Sequence, residues 1–199
     1  MANLREQILN TSAQMFWNLG IKRVGIDDIC NELRISKKTF YTVFKTKNEL
    51  IENILENFRE ENKKKKQIDK CDNVIDSLLQ KSYIFKQQSK EGEKFLQIQY
   101  DLKKYYPEIF ENHFREVRED SQIIVLEMLE KGIEQGLFRD NMDLNLMKQL
   151  ISDIFSQIMG YFHEQKISWT VIMDFCIDTI IRVVCNEKGV NYYLKIKGC

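Results

Sequence analysis

A run of short polar and cationic residues, Ser36-Lys37-Lys38-Thr39, stands at the predicted start of a short helix. A helix N-terminus carries unsatisfied backbone N–H groups and partial positive charge, so it favours a phosphate or an electronegative groove. Lys37 and Lys38 add formal charge, and Thr39 adds a short donor and acceptor. A helix end with several lysines is often only a solvated surface. Here the residue types and their order indicate instead a surface that binds a polyanion.

The aromatic residues of the same segment divide between two helical faces. Helical spacing lets Phe40 and Phe44 pack into a core while Tyr41 points its hydroxyl outward, toward a phosphate. In a helix-turn-helix, the N-terminal residues of the second helix lie toward base edges in the major groove. We therefore expect the segment from Ser36 to Thr39 to face the bases, with Lys37, Lys38 and Thr39 reading them, and Tyr41 to position the protein on the backbone.

Residue types suited to catalysis or metal binding do not converge in this sequence. The two histidines, His113 and His163, lack a second ligand at helical spacing. The five cysteines are scattered and form no CxxC pair, which favours free buried thiols. We expect no enzyme activity, no catalytic residues, no metal site and no cofactor.

Composition and charge are those of a globular protein with a basic N-terminal end. The 199 residues are 43% hydrophobic and 30% charged, with a formal net charge of zero. Residues 1–50 hold eight Lys/Arg and five Asp/Glu, a net charge of +3. No apolar run exceeds four residues and the N-terminus lacks a signal-peptide pattern, so we expect a cytoplasmic protein that does not engage a membrane.

Capping residues and apolar periodicity predict four helices in the first 60 residues. The first helix ends at Gly20, and the second begins near Ile26. Ser36 caps a third helix that reaches about Val43, and Thr46 opens a fourth helix with a capping-box pattern. The two short middle helices, separated by a tight turn, predict a helix-turn-helix within a small bundle.

The rest of the chain also reads as helical, giving an all-α fold of about nine helices. The predicted segments are a helix broken near Gly92, one ending before Pro107, a long one from Pro107 to Gln135, one capped by Asp143, and a last one from Ser168 to about Cys185. The final two are apolar over broad surfaces. They form either a buried core pair or a dimer interface in a four-helix bundle.

The residues from Ile8 to Leu50 carry a resemblance to a known family. The segment ISKKTFYTVFKTKNEL combines a cap, a recognition helix, an aromatic pair and the cap of the next helix in fixed register. This combination resembles the TetR family of bacterial transcriptional regulators. The stretch GIEQGLFRDNMDLN also looks like the family's turn between its long seventh helix and its dimerisation pair.

The resemblance implies an N-terminal three-helix head over residues 1–47, joined by the fourth helix to an effector-binding and dimerisation body over residues 48–199. It also implies a homodimer through the last two helices that binds a palindromic double-stranded DNA operator and releases it when a small-molecule effector binds. Repression is the commonest behaviour of the family. Lys47 matches the family's lysine that clamps a flanking phosphate.

Two residues depart from the family pattern. Arg34 stands in the turn where the family usually has glycine, and a non-glycine residue there in a left-handed conformation costs about 1 kcal/mol. We expect either a differently shaped turn or an Arg34 contact with phosphate. Gly25 stands where the family favours Thr or Ser, and it tolerates the cap position without offering a side-chain contact.

Aromatic residues of the body supply candidate walls for an effector pocket. From these we select Tyr100, Phe110 and Phe114, although aromatic residues at helical spacing usually belong to a core. The alternative function is a helical ligand-binding or scaffolding homodimer that has lost specific DNA binding. The operator, the regulated genes, the effector and the sign of regulation are not encoded in any motif of this sequence.

Overall fold

The protein is all-helical in the computed structural model, which describes residues 3–66, 71–87, 89–164 and 167–198. Within these ranges, the side chains of residues 62–66, 85, 89 and 155–164 lie outside the described set. The His163 side chain and the Cys199 residue considered above therefore do not enter the description. The described residues form ten helices: α1 Leu4–Leu19, α2 Ile26–Leu33, α3 Lys37–Tyr41, α4 Lys47–Lys66, α5 Val74–Gln87, α6 Ser89–Tyr105, α7 Pro107–Glu134, α8 Leu144–Glu164, α9 Trp169–Val184 and α10 Glu187–Lys197.

These helices belong to two compact units, each with its own core. Residues 1–67 and 94–115 form the first unit, and residues 68–93 and 116–199 form the second. The first core gathers apolar residues of α1 to α4 around Ile8, Phe40 and Leu50, together with Leu102 of α6 and Ile109 of α7. The division of the chain at residues 47 and 48 stays a prediction, because the first unit also takes in a later stretch.

The second core is built on α9, which is apolar on most of its surface. Ile177, Ile180, Ile181 and Val184 are buried there against residues of α5, α7 and α8. The turn between α7 and α8 closes onto the end of α9, where Arg139 N–H donates to Val184 O at 2.9 Å. The length of α7, 28 residues, agrees with the long helix predicted from Pro107.

The predicted break near Gly92 is wrong, because Gly92 lies inside α6. A Cβ at Gly92 would lie 2.3 Å from the Trp169 ring, a distance at which atoms clash. The glycine is therefore required by the close approach of an indole and does not mark a helix end. The chain instead passes from α5 to α6 between Gln87 and Ser89.

The prediction that the helix from Ser168 to Cys185 is the last one is also wrong. A further helix, α10, begins directly afterwards, where the Asn186 side chain accepts the N–H of Gly189 at 3.0 Å. Its Tyr193 is buried, and the Tyr193 hydroxyl donates to Asp178 Oδ1 of α9 at 2.8 Å. The predicted last two helices are thus α8 and α9, and α10 packs on α9.

Candidate nucleic-acid interface

The helix α2 begins at Gly25, which has no side chain with which to cap it. The Asp28 carboxylate accepts the Gly25 backbone N–H at 2.7 Å and satisfies the donor that precedes the helix. Ile29 and Cys30 face the core and are buried. Asp27 and Asp28 lie in the first turn, where negative charge is favourable to the helix dipole. The sequence therefore forms α2 despite the departure at Gly25.

Arg34 ends α2 in a left-handed conformation, with φ 54° and ψ 40°. Its N–H donates to Asn31 O at 3.2 Å, and the next N–H, of Ile35, donates to Cys30 O at 3.0 Å. These bonds satisfy carbonyls at the end of the helix, as the glycine of such a turn would. Arg34 therefore holds the left-handed conformation of this turn, which costs a non-glycine residue about 1 kcal/mol.

The helix α3 is held in place by its cap and by its aromatic residues. Ser36 Oγ accepts the Thr39 N–H at 3.0 Å and lies 2.8 Å from Thr39 Oγ1. Phe40 is fully buried and Phe44 is 1% exposed, with ring centroids 6.1 Å apart. α3 ends at Tyr41, two residues earlier than expected, and the chain continues in a turn.

With Phe40 and Phe44 turned inward, the other side chains of α3 face away from the core. Lys37 and Lys38 are exposed, Thr39 is half-buried, and Tyr41 is 48% exposed. Ser36 and Arg34, at the near end, are also exposed. The structure therefore brings six of the seven predicted DNA-contacting residues onto the outer side of one short segment, and the seventh, Lys47, follows at the start of α4.

An acidic partner that sequence reasoning missed holds Lys37 in the free protein. Lys37 Nζ lies 2.7 Å from Asp27 Oδ1, and both side chains are more than half exposed. The hydrogen bond to Asp27 raises the pKa of Lys37, so the lysine stays cationic at neutral pH. Exposed pairs of this kind contribute little stability, so Lys37 can leave Asp27 for a phosphate or a base at small cost. The pair joins α2 to α3, so it depends on how these two helices pack and could not be predicted from the sequence.

Lys47 has a second role inside the first unit. Its Nζ donates to Ile21 O at 2.7 Å and lies 5.5 Å from the centroid of the Phe16 ring and 5.6 Å from that of Tyr106. An ammonium has three N–H donors, so this arrangement leaves two of them for a phosphate. The side chain is half-buried. Lys47 therefore anchors the loop between α1 and α2 to the start of α4.

The aromatic residues selected for an effector pocket fall into two places. Phe110 packs against the first core, and its ring centroid lies 4.3 Å from that of Phe114. Tyr100 lies on α6, where its hydroxyl accepts a hydrogen bond from Lys104 Nζ at 2.8 Å. Tyr100 lines an open cavity of about 420 Å³ whose described wall includes neither Phe110 nor Phe114.

A buried acid on α6 was not anticipated from the sequence. Asp101 is 5% exposed, and its Oδ2 accepts the backbone N–H of Lys22 at 3.2 Å. Its Oδ1 accepts Gln97 Nε2 at 3.0 Å. Gln97 and Asp101 are four residues apart on a helix, so their hydrogen bond could be predicted from the sequence. The contact between Asp101 and Lys22 depends on the tertiary fold and could not.

The short paired helices, with an exposed polar end on the second, define the class of helix-turn-helix proteins. Residues 8–54 match the family model described as "Bacterial regulatory proteins, tetR family". A search of curated proteins finds no significant match.

Solved structures share the fold along most of the chain. NemR of E. coli in its reduced form superposes with a TM-score of 0.70 at 14% identity, covering 91% of this chain and 96% of that one. The fatty acid degradation regulator FadR of Bacillus halodurans gives 0.67 at 18% identity, covering 90% and 96%. FadR of Bacillus subtilis in complex with stearoyl-CoA gives 0.65 at 16% identity, covering 88% and 96%.

Residues 8–54 are thus similar to the N-terminal region of TetR-family bacterial regulatory proteins, and the chain shares its fold with the solved structures named above. Within the described residues, no helix is long and apolar enough to cross a membrane.

Proposed function

We propose that this protein is a DNA-binding transcriptional repressor that binds a palindromic operator through α3 and leaves it when a small molecule binds. The observation that carries the proposal is the polar N-terminal end of α3, where Ser36, Lys37 and Lys38 are exposed and Thr39 is half-buried. Phe40 of this helix and Phe44 just beyond it are buried in the core. A short helix anchored in this way can present its N-terminal residues to a major groove without losing side-chain order.

The contacts divide by chemistry into base reading and positioning. Lys37, Lys38 and Thr39 supply the groups that read base edges, because ammonium groups donate to guanine acceptors and a hydroxyl serves either role. Tyr41, with its exposed hydroxyl, and Lys47, with two spare donors, bind the phosphate backbone. Ser36 caps α3 by accepting the Thr39 N–H. We propose that its hydroxyl also contacts DNA.

Arg34 is proposed as a third backbone contact. The guanidinium is exposed at the turn between the two short helices, where the first residues of α3 would meet DNA. Arginine donates to phosphate oxygens in a fork of fixed geometry. This contact would give the residue that strains the turn a role in DNA binding.

A homodimer through α8 and α9 would place two such heads on one operator. Apolar side chains stand exposed on both helices of the second unit: Leu146 at 70%, Leu150 at 49%, Val171 at 57% and Phe175 at 52%. Each pair is spaced four residues apart, so each helix presents an apolar stripe to its surroundings. We propose that these stripes meet their symmetry mates in a four-helix interface.

Small-molecule control is supported by the neighbours in fold. One of them holds stearoyl-CoA, and a regulator from Saccharomonospora viridis holds choline, at 16% identity and a TM-score of 0.69. For this chain, Tyr100, Phe110 and Phe114 are the proposed effector contacts. An effector that prefers one of two conformations shifts the protein toward it and weakens DNA binding accordingly.

An electrophoretic mobility shift with the DNA upstream of the protein's own gene tests this proposal. We expect a specific complex at moderate salt that is lost in a Lys37→Ala/Tyr41→Ala double variant. Lys103→Ala, which removes an exposed lysine on α6, is the matched control and should bind like wild type. If wild type and the double variant behave alike on every upstream fragment, the alternative of a ligand-binding or scaffolding homodimer without specific DNA binding is favoured.

The division of roles makes a separate test possible. Lys47→Ala should weaken binding to all DNA sequences alike and lower the dependence on salt, because phosphate contacts carry no sequence information. Thr39→Ala should change the preference among operator variants. Equal effects of both substitutions across a set of operators would contradict the assignment.

A further inference from the structure

The first unit contains an open cavity beside the helix-turn-helix whose walls combine aromatic side chains with three cations. Two of these cations donate hydrogen bonds to neutral groups, Lys22 to the Tyr105 hydroxyl and Lys94 to Asn18 Oδ1. The cavity has a volume of about 420 Å³, and it lies between the end of α1, the loop that follows, and α6. Ligand pockets commonly occupy about 300–1,000 Å³, so the cavity is large enough for a small organic molecule.

Positive charge dominates the lining of this cavity. Lys22, Arg23 and Lys94 contribute three cations, against one carboxylate, Asp101. Both oxygens of Asp101 already accept hydrogen bonds, from a backbone N–H and from Gln97. Among the described residues, no carboxylate lies within ion-pair distance of Lys22, Arg23 or Lys94. The cavity therefore offers an excess of cations to an anion.

The hydroxyl oxygens of two tyrosines in the lining accept hydrogen bonds from lysines. Lys22 Nζ donates to the Tyr105 hydroxyl at 3.1 Å, and Lys104 Nζ donates to the Tyr100 hydroxyl at 2.8 Å. The hydrogen bond from Lys22 and the neighbouring Lys104 lower the pKa of Tyr105. The lysines beside Tyr105 therefore favour a negatively charged group in this part of the cavity.

Apolar and aromatic side chains also line the cavity. Phe16, which is 3% exposed, is one of them, and the half-buried Trp17 and Ile98 are two others. An apolar wall with a cationic rim suits a molecule with a flat hydrocarbon body and an acidic group. A neutral or cationic analogue would lose the charge contacts and keep only the apolar ones.

We propose that this cavity binds a small aromatic carboxylate, with the ring against Phe16, Trp17 and Ile98 and the carboxylate toward Lys22, Arg23 and Lys94.

The cavity wall is mechanically tied to the DNA-contacting helices. Gly20, with φ 88°, faces Asp101 so closely that a Cβ would lie 3.0 Å from Asp101 Oδ2. The next residue, Ile21, accepts the hydrogen bond from Lys47 at the start of α4. A ligand that displaces the Lys22 side chain or the loop therefore acts on Lys47. This second step, control of DNA binding from the cavity, rests on the proposed function, whereas ligand binding itself does not.

Isothermal titration of the full-length protein with 1-naphthoate, without DNA, tests the site directly. We expect saturable binding, and we expect neutral 1-naphthamide to bind at least about tenfold more weakly, which corresponds to about 1.4 kcal/mol. Arg23→Ala and Lys94→Ala, on two separate elements, should each weaken 1-naphthoate binding about five- to tenfold. Lys103→Ala, an exposed lysine of α6 outside the cavity wall, is the matched control and should leave the affinity unchanged.

Three outcomes would overturn the site. These are no saturable binding of 1-naphthoate up to about 5 mM, equal affinity for the acid and the amide, or equal losses in Lys94→Ala and Lys103→Ala. DNA binding is measured in a separate experiment. If 1-naphthoate binds as expected while wild type forms no specific DNA complex, the proposed function is wrong and the proposed ligand site is still supported. If both hold, 1-naphthoate should change the affinity for DNA in wild type, and Lys94→Ala should need about five- to tenfold more 1-naphthoate for the same change.

Discussion

Replacing Arg34 separates the strain of the turn from the charge on its side chain. Arg34→Gly removes both, whereas Arg34→Ala removes the charge and keeps a residue with a Cβ at φ 54°. The left-handed conformation costs a non-glycine residue about 1–2 kcal/mol, and the greater freedom of glycine in the unfolded chain offsets part of the relief. We therefore expect Arg34→Gly to raise the free energy of unfolding by about 1 kcal/mol and Arg34→Ala to change it by less than about 0.5 kcal/mol.

Urea denaturation followed by far-ultraviolet circular dichroism measures this difference, with unchanged slopes as the check that the unfolded states match. DNA binding supplies the second readout. If Arg34 binds phosphate, both variants should lose affinity alike and lower the magnitude of the slope of log K against log salt by about 0.9 per head, which is about 1.8 for the dimer. Equal stability of the Gly and Ala variants would refute the strain argument. Wild-type DNA affinity in both would refute the phosphate contact.

Two further predictions concern the second unit. Asp178 accepts hydrogen bonds from Arg182, Tyr193 and a lysine of α10, and the first of these does most to lower its pKa to about 2. Because the folded pKa lies below the ordinary value near 4, the ionised carboxylate stabilises the fold above about pH 4, and this contribution is lost as the pH falls toward 2. Asp178→Asn should therefore lower the free energy of unfolding by about 1–2 kcal/mol at pH 7. Urea titrations at a series of pH values should show the difference between wild type and variant vanish near pH 2. Gly92→Ala should destabilise the protein by about 1–3 kcal/mol, since the new Cβ meets the Trp169 ring, and a rise in thermal midpoint, as for an ordinary helical glycine, would contradict that contact.

The N-terminal helices could be predicted because their signals are local. Ser36 caps α3, Thr46 Oγ1 accepts the Glu49 N–H at 3.1 Å, and Glu49 in turn accepts the Lys45 N–H at 2.7 Å. Each of these interactions spans no more than four residues, so the order of residue types is enough to place them. The burial of Phe40 followed from the same helical spacing.

Features that depend on distant partners could not be predicted. Gly92 resembles a helix end until Trp169 is known to pack on it. The start of α10 at Asn186 follows α9 without a glycine or proline to mark the boundary. The cavity beside α1 could not be predicted either, because its wall depends on a contact between Lys22, in an N-terminal loop, and Asp101 of α6.

Hydroxyl-radical footprinting of the protein on the DNA upstream of its own gene tests the central claim most directly. A dimer that reads an operator with two α3 helices should protect two symmetric patches whose centres lie about one DNA turn apart, roughly 34–36 Å, or a whole number of turns. Protection should disappear in the Lys37→Ala/Tyr41→Ala variant and persist in Lys103→Ala. A single unpaired patch, or protection that survives the loss of Lys37 and Tyr41, would contradict operator binding through α3.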